Sequence, residues 1–275
     1  MESGMRVLSM TGGHRVDLDA WLQMLGAICE ERGWRHAHSV HPAADRWWDA
    51  DLRDSFDVVV LHDLPGLFLK RGEAPRPVGP TDEQRRRIRA ALDSGIGVVA
   101  VHHALAGWPA WDEWADALGG RFLYTGGELH GSALPCSGTT IDTFTVEPVD
   151  PSHPVCAGVE PFVLTDERYL CPVFTDDVVP LLRAADAPLG GDAFISTHEH
   201  VVVGADEAPR CAADRRASDL LAWASRGAGT PVVYVQPGDT AATFARPEYR
   251  SVLANAVAWV SSPEARTWAA ERSNH

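Results

Sequence analysis

The sequence predicts an α/β protein, with a mostly parallel sheet, helices on both faces and a smaller antiparallel strand region. Two observations carry this expectation. Short apolar runs at 5–10, 56–61 and 98–101 read as buried strands, and segments of helical period follow them. Strands that alternate with helices need crossover connections, and crossovers make neighbouring strands parallel. The middle of the chain breaks this rhythm. "TTIDTFTV" at 139–146 alternates in polarity, as a half-exposed antiparallel strand does.

Taken in order, "MRVLSM" forms the first strand, and the loop "TGGHRVD" leads into a helix over 18–31 that ends at Gly33. Residues 34–40 make a weaker strand. "FDVVVL" is followed by "HDLPG", where Pro65 and Gly66 mark a turn. Residues 70–80, rich in Pro and Gly, read as an exposed loop. Thr81 caps the next helix, which has acids in its first turn and Gly95 past its end. A strand over 98–101 and a helix over 108–118 complete the alternating part. Residues 178–182 form a short strand, and 219–224 with 231–236 form a hairpin around "SRGAG". Pro247 opens a helix to Val260. The expected organisation is one domain over 1–261 and a loosely held tail over 262–275. Few signals mark 190–215 beyond a strand-like 201–203.

Composition narrows the function. A chain of 275 residues buries a core without disulfide or metal staples. The net charge of −14 argues against nucleic acid and anionic membranes as partners. The five cysteines, Cys29, Cys136, Cys156, Cys171 and Cys211, are odd in number and lack a Cys-x-x-Cys pair. That usage fits a reduced, cytoplasmic compartment. No signal-peptide pattern opens the chain, and no run of about 18 apolar residues would span a membrane.

Ligands of open parallel sheets bind beyond the carboxyl ends of the strands. Three strand tips here carry polar groups: Gly12, Gly13 and His14; His62 and Asp63; and the adjacent His102 and His103 of "GVVAVHHALAGW". Buried imidazoles need hydrogen-bond partners, so a histidine pair ending a core strand is either solvated or part of a site. The pattern G-x-G-x-x-G is absent, so no nucleotide cofactor is expected.

"FDVVVLHDLPG", "GVVAVHHALAGWPAWDEWADALGGRFLY", "VDPSHPVCAGV", "LTDERYLCPVF" and "VVYVQPGDTAATFARPEYRSVLANAVAWV" occur in this order over nearly the whole chain. Together they resemble the trehalose-utilisation (ThuA-like) family. The resemblance implies a flavodoxin-like fold of the class I glutamine amidotransferase type. It places His102 and His103 at the strand-to-helix elbow that carries the nucleophilic cysteine in those amidotransferases. No cysteine stands here, so glutamine hydrolysis is not expected. Asp239 occupies a point where many relatives carry histidine.

The resemblance further implies a carbohydrate role, and 3-keto sugars supply a chemistry for it. The ketone acidifies the C2 hydrogen, so a base can remove it and the C1 substituent can leave. This needs a base titrating near neutrality and a stabiliser for the enediolate. Candidates for catalysis are His102, His103, Asp63 and Glu167. Candidates for substrate binding are Gly13, His14, Trp108, His130, Asp166 and Asp239. His103, His14 and Glu167 could hold a divalent metal, with Zn, Mn, Fe or Ni suited to mixed nitrogen and oxygen donors. His198 and His200 share a face of an extended segment and rank lower. The expected partner is a small sugar-like molecule, and a homodimer is in keeping with the fold. Two other readings stand beside the sugar enzyme: a non-catalytic carbohydrate-binding or assembly module, and a metal-dependent enzyme of specialised metabolism.

Overall fold

The structure is a computed structural model that describes residues 4–49, 51–70, 73–185, 194–198 and 219–271. The strands are β1 (Arg6–Gly12), β2 (Arg35–Val40), β3 (Val58–Asp63), β4 (Leu67–Phe68), β5 (Arg76–Pro77), β6 (Gly97–Val101), β7 (Gly127–Leu129) and β8 (Ser132–Leu134). They continue with β9 (Gly138–Pro148), β10 (Phe162–Leu170), β11 (Val179–Ala184), β12 (Ile195–Ser196), β13 (Leu220–Ser225) and β14 (Val232–Val235). The helices are α1 (Leu18–Arg32), α2 (Leu52–Ser55), α3 (Asp82–Asp93), α4 (Asp112–Leu118), α5 (Ala241–Phe244), α6 (Pro247–Val260) and α7 (Pro263–Ala270).

The main sheet runs β10-β9-β11-β13-β14-β6-β3-β1-β2, and β12 pairs with β9. From β2 to β14 the neighbours are parallel, and from β14 to β10 they are antiparallel. Counted along the chain, the parallel half has the order 2-1-3-4-5, the flavodoxin-like order with its switch point between β1 and β3. The antiparallel half is the smaller region expected from the alternation at 139–146.

Continuous apolar strands are needed because both faces are covered. Val7, Val58, Val60, Val99, Val101, Val233 and Val235 face one core, packed by Trp21 of α1 and by Val252, Leu253 and Val257 of α6. Their neighbours Leu8, Val59, Leu61, Val98, Ala100, Val232 and Tyr234 face the other, with Ile88 and Leu92 of α3 and Trp114 and Leu118 of α4. This alternation is the period-two projection of strand side chains. Helix ends follow local chemistry. Asp17 caps α1 by accepting from the Ala20 amide, Gly33 closes it at φ 68°, and Thr81 with Gln84 forms a reciprocal capping box on α3.

Four expectations are corrected. The helix read over 108–118 begins at Asp112, because Trp108 precedes Pro109 and sits at φ 45°, outside the helical region. Residues 263–270, expected as part of a loose tail, do not trail. They form α7, capped by the Ser262 hydroxyl and seated through buried Ala265 and Ala269. The loop at 70–80 contributes β5, which pairs with β4 in a two-residue ribbon. Residues 56 and 57 precede β3, which instead runs on through His62 and Asp63. The strand read at 201–203 lies outside the described residues.

Trp21 is fully buried and touches both His62 and Phe244. Trp21→Ala should therefore destabilise the protein by about 3–5 kcal/mol, read as a lowered midpoint in urea unfolding with an unchanged slope.

Candidate functional site

The carboxyl ends of β1, β3, β6 and β14 converge with β10, which reaches them from the antiparallel half. β6 ends at Val101, and His102 follows at φ 48°, a conformation uncommon for residues other than glycine. Strain of this kind persists only where surrounding contacts hold it. Here the partner is β14, parallel to β6. The His102 Nδ1–H donates to the Gln236 carbonyl at 2.7 Å, and the Tyr234 hydroxyl donates to the His102 carbonyl at 3.0 Å. With Nδ1 committed, Nε2 is the nitrogen left to meet the cluster. It faces Glu167 Oε2 at 3.2 Å, Asp239 Oδ1 at 3.6 Å and the Tyr169 hydroxyl at 2.9 Å.

His102, His103, Glu167 and Asp239 each bring one donor atom to a cluster whose atoms lie within 4.8 Å of one another. The first two are buried and the carboxylates are partly exposed, so the cluster is open on one side. The electrostatics of the two imidazoles diverge. Burial opposes charge on His102, but hydrogen bonds to Asp239 and Glu167 outweigh it and raise its pKa to about 10. The same pairing holds Asp239 below the usual carboxylate range. Burial and the neighbouring His102 keep His103 well below an ordinary imidazole. Its ring stacks on His14, with centroids 3.5 Å apart, and meets His102 edge-on at 4.2 Å. His103 Nδ1 is buried without a hydrogen-bond partner. His62 is lowered to about 4 by burial and by His102, and its Nε2–H donates to the Gly238 carbonyl.

Asp166 organises the turn that delivers Asp239. Oδ2 accepts from the Gly238 amide at 2.9 Å and from the Thr243 hydroxyl at 2.5 Å. Oδ1 accepts from the Glu167 amide at 2.7 Å and the Asp239 amide at 3.2 Å. The turn requires glycine at 238, where φ is 142° and a Cβ would lie 2.7 Å from the Tyr249 hydroxyl.

The cluster thus unites His102, His103, Glu167 and Asp239, with His14 stacked beside it. Asp166 braces it, and its carboxylate oxygens are taken up by protein donors rather than offered to a substrate. Asp63 is directed elsewhere. It accepts a hydrogen bond from His41 Nε2, and its Oδ1 is buried without a partner. His41 Nδ1 lies 3.1 Å from Asp45, so this imidazole is bracketed by two carboxylates. His130 is half exposed on the β7–β8 hairpin and pairs with Asp116 at 2.8 Å, away from the donor cluster. Gly13 and Trp108 line a neighbouring cavity of about 520 Å³ that none of the four cluster residues lines. Gly13 sits at φ 78°, and a Cβ there would lie 2.2 Å from the Leu64 carbonyl oxygen. His200 lies outside the described residues, so the His198–His200 pair has no described geometry.

Tyr169, Gln236, Thr139 and His41 are the participants that sequence reasoning passed over; His62 was placed at a strand tip but given no role. Tyr169 was within reach of that reasoning. Glu167 and Tyr169 are two residues apart on β10 and so project to one face. Thr139, opposite Tyr169 in the β9–β10 register, donates its hydroxyl to Glu167. Gln236 and His41 depend on strand pairing that no local pattern announces.

Two outcomes follow. The His41 pKa is raised to about 10 in the fold, because the two carboxylates outweigh burial. A raised folded value means that folding takes up a proton. The stability it confers is complete below the unfolded value of about 6.5 and is lost as pH climbs toward 10. Urea midpoints should fall over that range, and His41→Gln should flatten the fall. Asp166→Asn exchanges one carboxylate oxygen, which accepts two of the four hydrogen bonds, for an NH2 group that faces donors. It should cost about 1–3 kcal/mol and, by displacing Asp239, lower the His102 pKa in an NMR titration.

Comparison with known proteins agrees with this architecture. The ThuA family, described as trehalose utilisation, matches residues 6–260. A ThuA-like protein of Bacteroides uniformis superposes with a TM-score of 0.63 at 16% identity, covering 94% of this chain and 93% of that one. One of Parabacteroides merdae gives 0.63 at 15% identity, covering 94% and 90%. A glutamine amidotransferase of Thermotoga maritima gives 0.46 at 12% identity, covering 94% and 98%. No curated protein matches the chain. Among the described residues, no helix is long and apolar enough to cross a membrane. With the family match spanning the sheet from β1 to α6, the chain belongs to the ThuA family.

Proposed function

We propose that this protein is an enzyme that acts on a carbonyl-bearing sugar derivative of the 3-keto-glycoside class by histidine-centred acid–base chemistry. The adjacent pair at the elbow carries this reading. His102 faces two carboxylates and holds a proton, whereas the buried His103 stays neutral. Neighbouring groups whose environments push their pKa values apart are the mark of an acid and a base.

In this reading the neutral His103 accepts the C2 proton of the keto sugar. The released electron pair forms the C1–C2 double bond by way of an enediolate, and the C1–O bond breaks. The imidazolium of His102 gives its proton to the departing oxygen. Tyr169, beside His102 Nε2, offers a hydroxyl to the developing enediolate. The products are an unsaturated keto sugar and an alcohol, and water adding at C1 would complete a hydrolysis.

A divalent transition metal is a second reading, favoured by the orphaned His103 Nδ1 and the four clustered donors. Two nitrogens and two carboxylates suit Zn, Mn, Fe or Ni. His102, His103, Glu167 and Asp239 would hold the ion, and His14 would support His103 by stacking rather than ligate. Such an ion, when bound, supplies polarisation of the sugar carbonyl. The committed Nδ1–H of His102 fits this as well, since a ligating imidazole is oriented by the bond its other nitrogen makes.

The test pairs turnover of a 3-keto-disaccharide panel with elemental mass spectrometry on untagged protein. Turnover lowered about 10²–10⁴-fold by His103→Gln supports the acid–base assignment. Near-stoichiometric metal that is lost in a His102→Ala/His103→Ala variant supports the metal reading. Folded protein that binds the keto sugars without turning them over makes it a carbohydrate-binding module. Ammonia released from glutamine, and lost in His102→Ala, overturns the assignment of the elbow.

A further inference from the structure

The cavity of about 520 Å³ beside the cluster is large enough for a two- or three-ring ligand. It opens at the carboxyl ends of β1 and β3, the switch point where flavodoxin-like sheets take their ligands. Two of its lining residues tie it to the histidine cluster. Gly13 is followed by His14, which stacks on His103, and Trp108 follows the elbow in the chain. The Trp108 amide donates to the Pro65 carbonyl at 2.7 Å, which closes the wall between the elbow and the β3 tip.

Its chemistry is uneven. Leu64, Leu67, Val78 and the Trp108 indole make apolar walls, whereas His41, Asp45 and Gln84 cluster as a polar group. A single sugar ring would leave its hydroxyls facing those walls without partners, at a cost. Flat ring systems lose nothing there and gain contact with the indole. Around the polar group, His41 is bracketed by Asp45 and Asp63, and Gln84 Nε2 donates to Asp45 at 3.3 Å. One imidazolium between two carboxylates leaves a net negative end. That end repels anions and accepts a hydrogen bond from a neutral hydroxyl.

We propose that this cavity holds the aglycone of the substrate, a neutral phenolic ring system whose free hydroxyl donates to Asp45. The assignment rests on the keto-glycoside reading for the word aglycone, but the site itself is tested by equilibrium binding without turnover. The probes are 7-hydroxycoumarin and coumarin, which differ only in the hydroxyl, titrated at pH 6 by calorimetry. The hydroxylated probe should bind at least tenfold more tightly than coumarin, and Asp45→Asn should erase that difference. Val78→Trp, which fills the cavity from its rim, should weaken binding at least tenfold. Phe68→Asp, at a position 55% exposed where the fold tolerates a charge, should weaken both probes and serves if Val78→Trp fails to fold. Glu167→Gln should leave binding unchanged, which separates this site from the catalytic cluster. Absence of binding at millimolar probe, equal affinity for the two probes, or binding indifferent to both cavity variants would overturn the proposal. A failed keto-sugar panel with the expected binding intact would instead overturn only the reaction.

Discussion

The parallel pairing of β6 with β14 is the constraint on which the site depends. It sets the Gln236 carbonyl against His102 Nδ1 and the Tyr234 hydroxyl against the His102 carbonyl. Those two bonds hold an imidazole at φ 48° and fix which nitrogen faces the cleft. Every later property of the cluster follows from that choice. Nε2 meets two carboxylates and a tyrosine hydroxyl because Nδ1 is already spent.

Asp166 plays the complementary part from the other half of the sheet. It is buried, and burial raises its pKa, yet its two oxygens accept four hydrogen bonds across the β10 and β14 ends. One carboxylate thereby ties the antiparallel region to the parallel one at the point where Glu167 and Asp239 must converge. A fold that joins a parallel and an antiparallel half could otherwise let these ends drift apart. The cluster is a junction feature, and neither half contains it alone.

The same elbow position can serve different chemistries because the fold supplies exposure and the side chain supplies reactivity. Here the side chain is an imidazole, with a second one beside it and no thiol. Glu167, Asp239 and Asp166 stand around the turn, and two of these carboxylates face the His102 ring nitrogen. The neighbouring cavity, bounded by the β3 tip and Trp108, adds an apolar surface that the cluster itself lacks.

Much of this was legible in the residues. Buried strands ending in Gly13–His14, His62–Asp63 and His102–His103 announced a polar sheet edge, because apolar periodicity and turn chemistry are local properties of the chain. The motif order pointed to the family, and Glu167 with Asp239 stood among the candidates. Local pattern could not assign roles. Asp63 and Asp166 look like Glu167 in sequence, yet one turned to His41 and the other to backbone amides. His130 follows the same logic, drawn to Asp116 on a surface hairpin. Gln236 and Thr139 joined the site only through strand register. The sequence by itself determined which elements form and which polar groups reach the sheet edge, since those depend on neighbours within a few residues. Only the tertiary structure decided which groups face one another and which way their pKa values are pushed, since strand pairing and burial bring together residues as distant as His102 and Asp239.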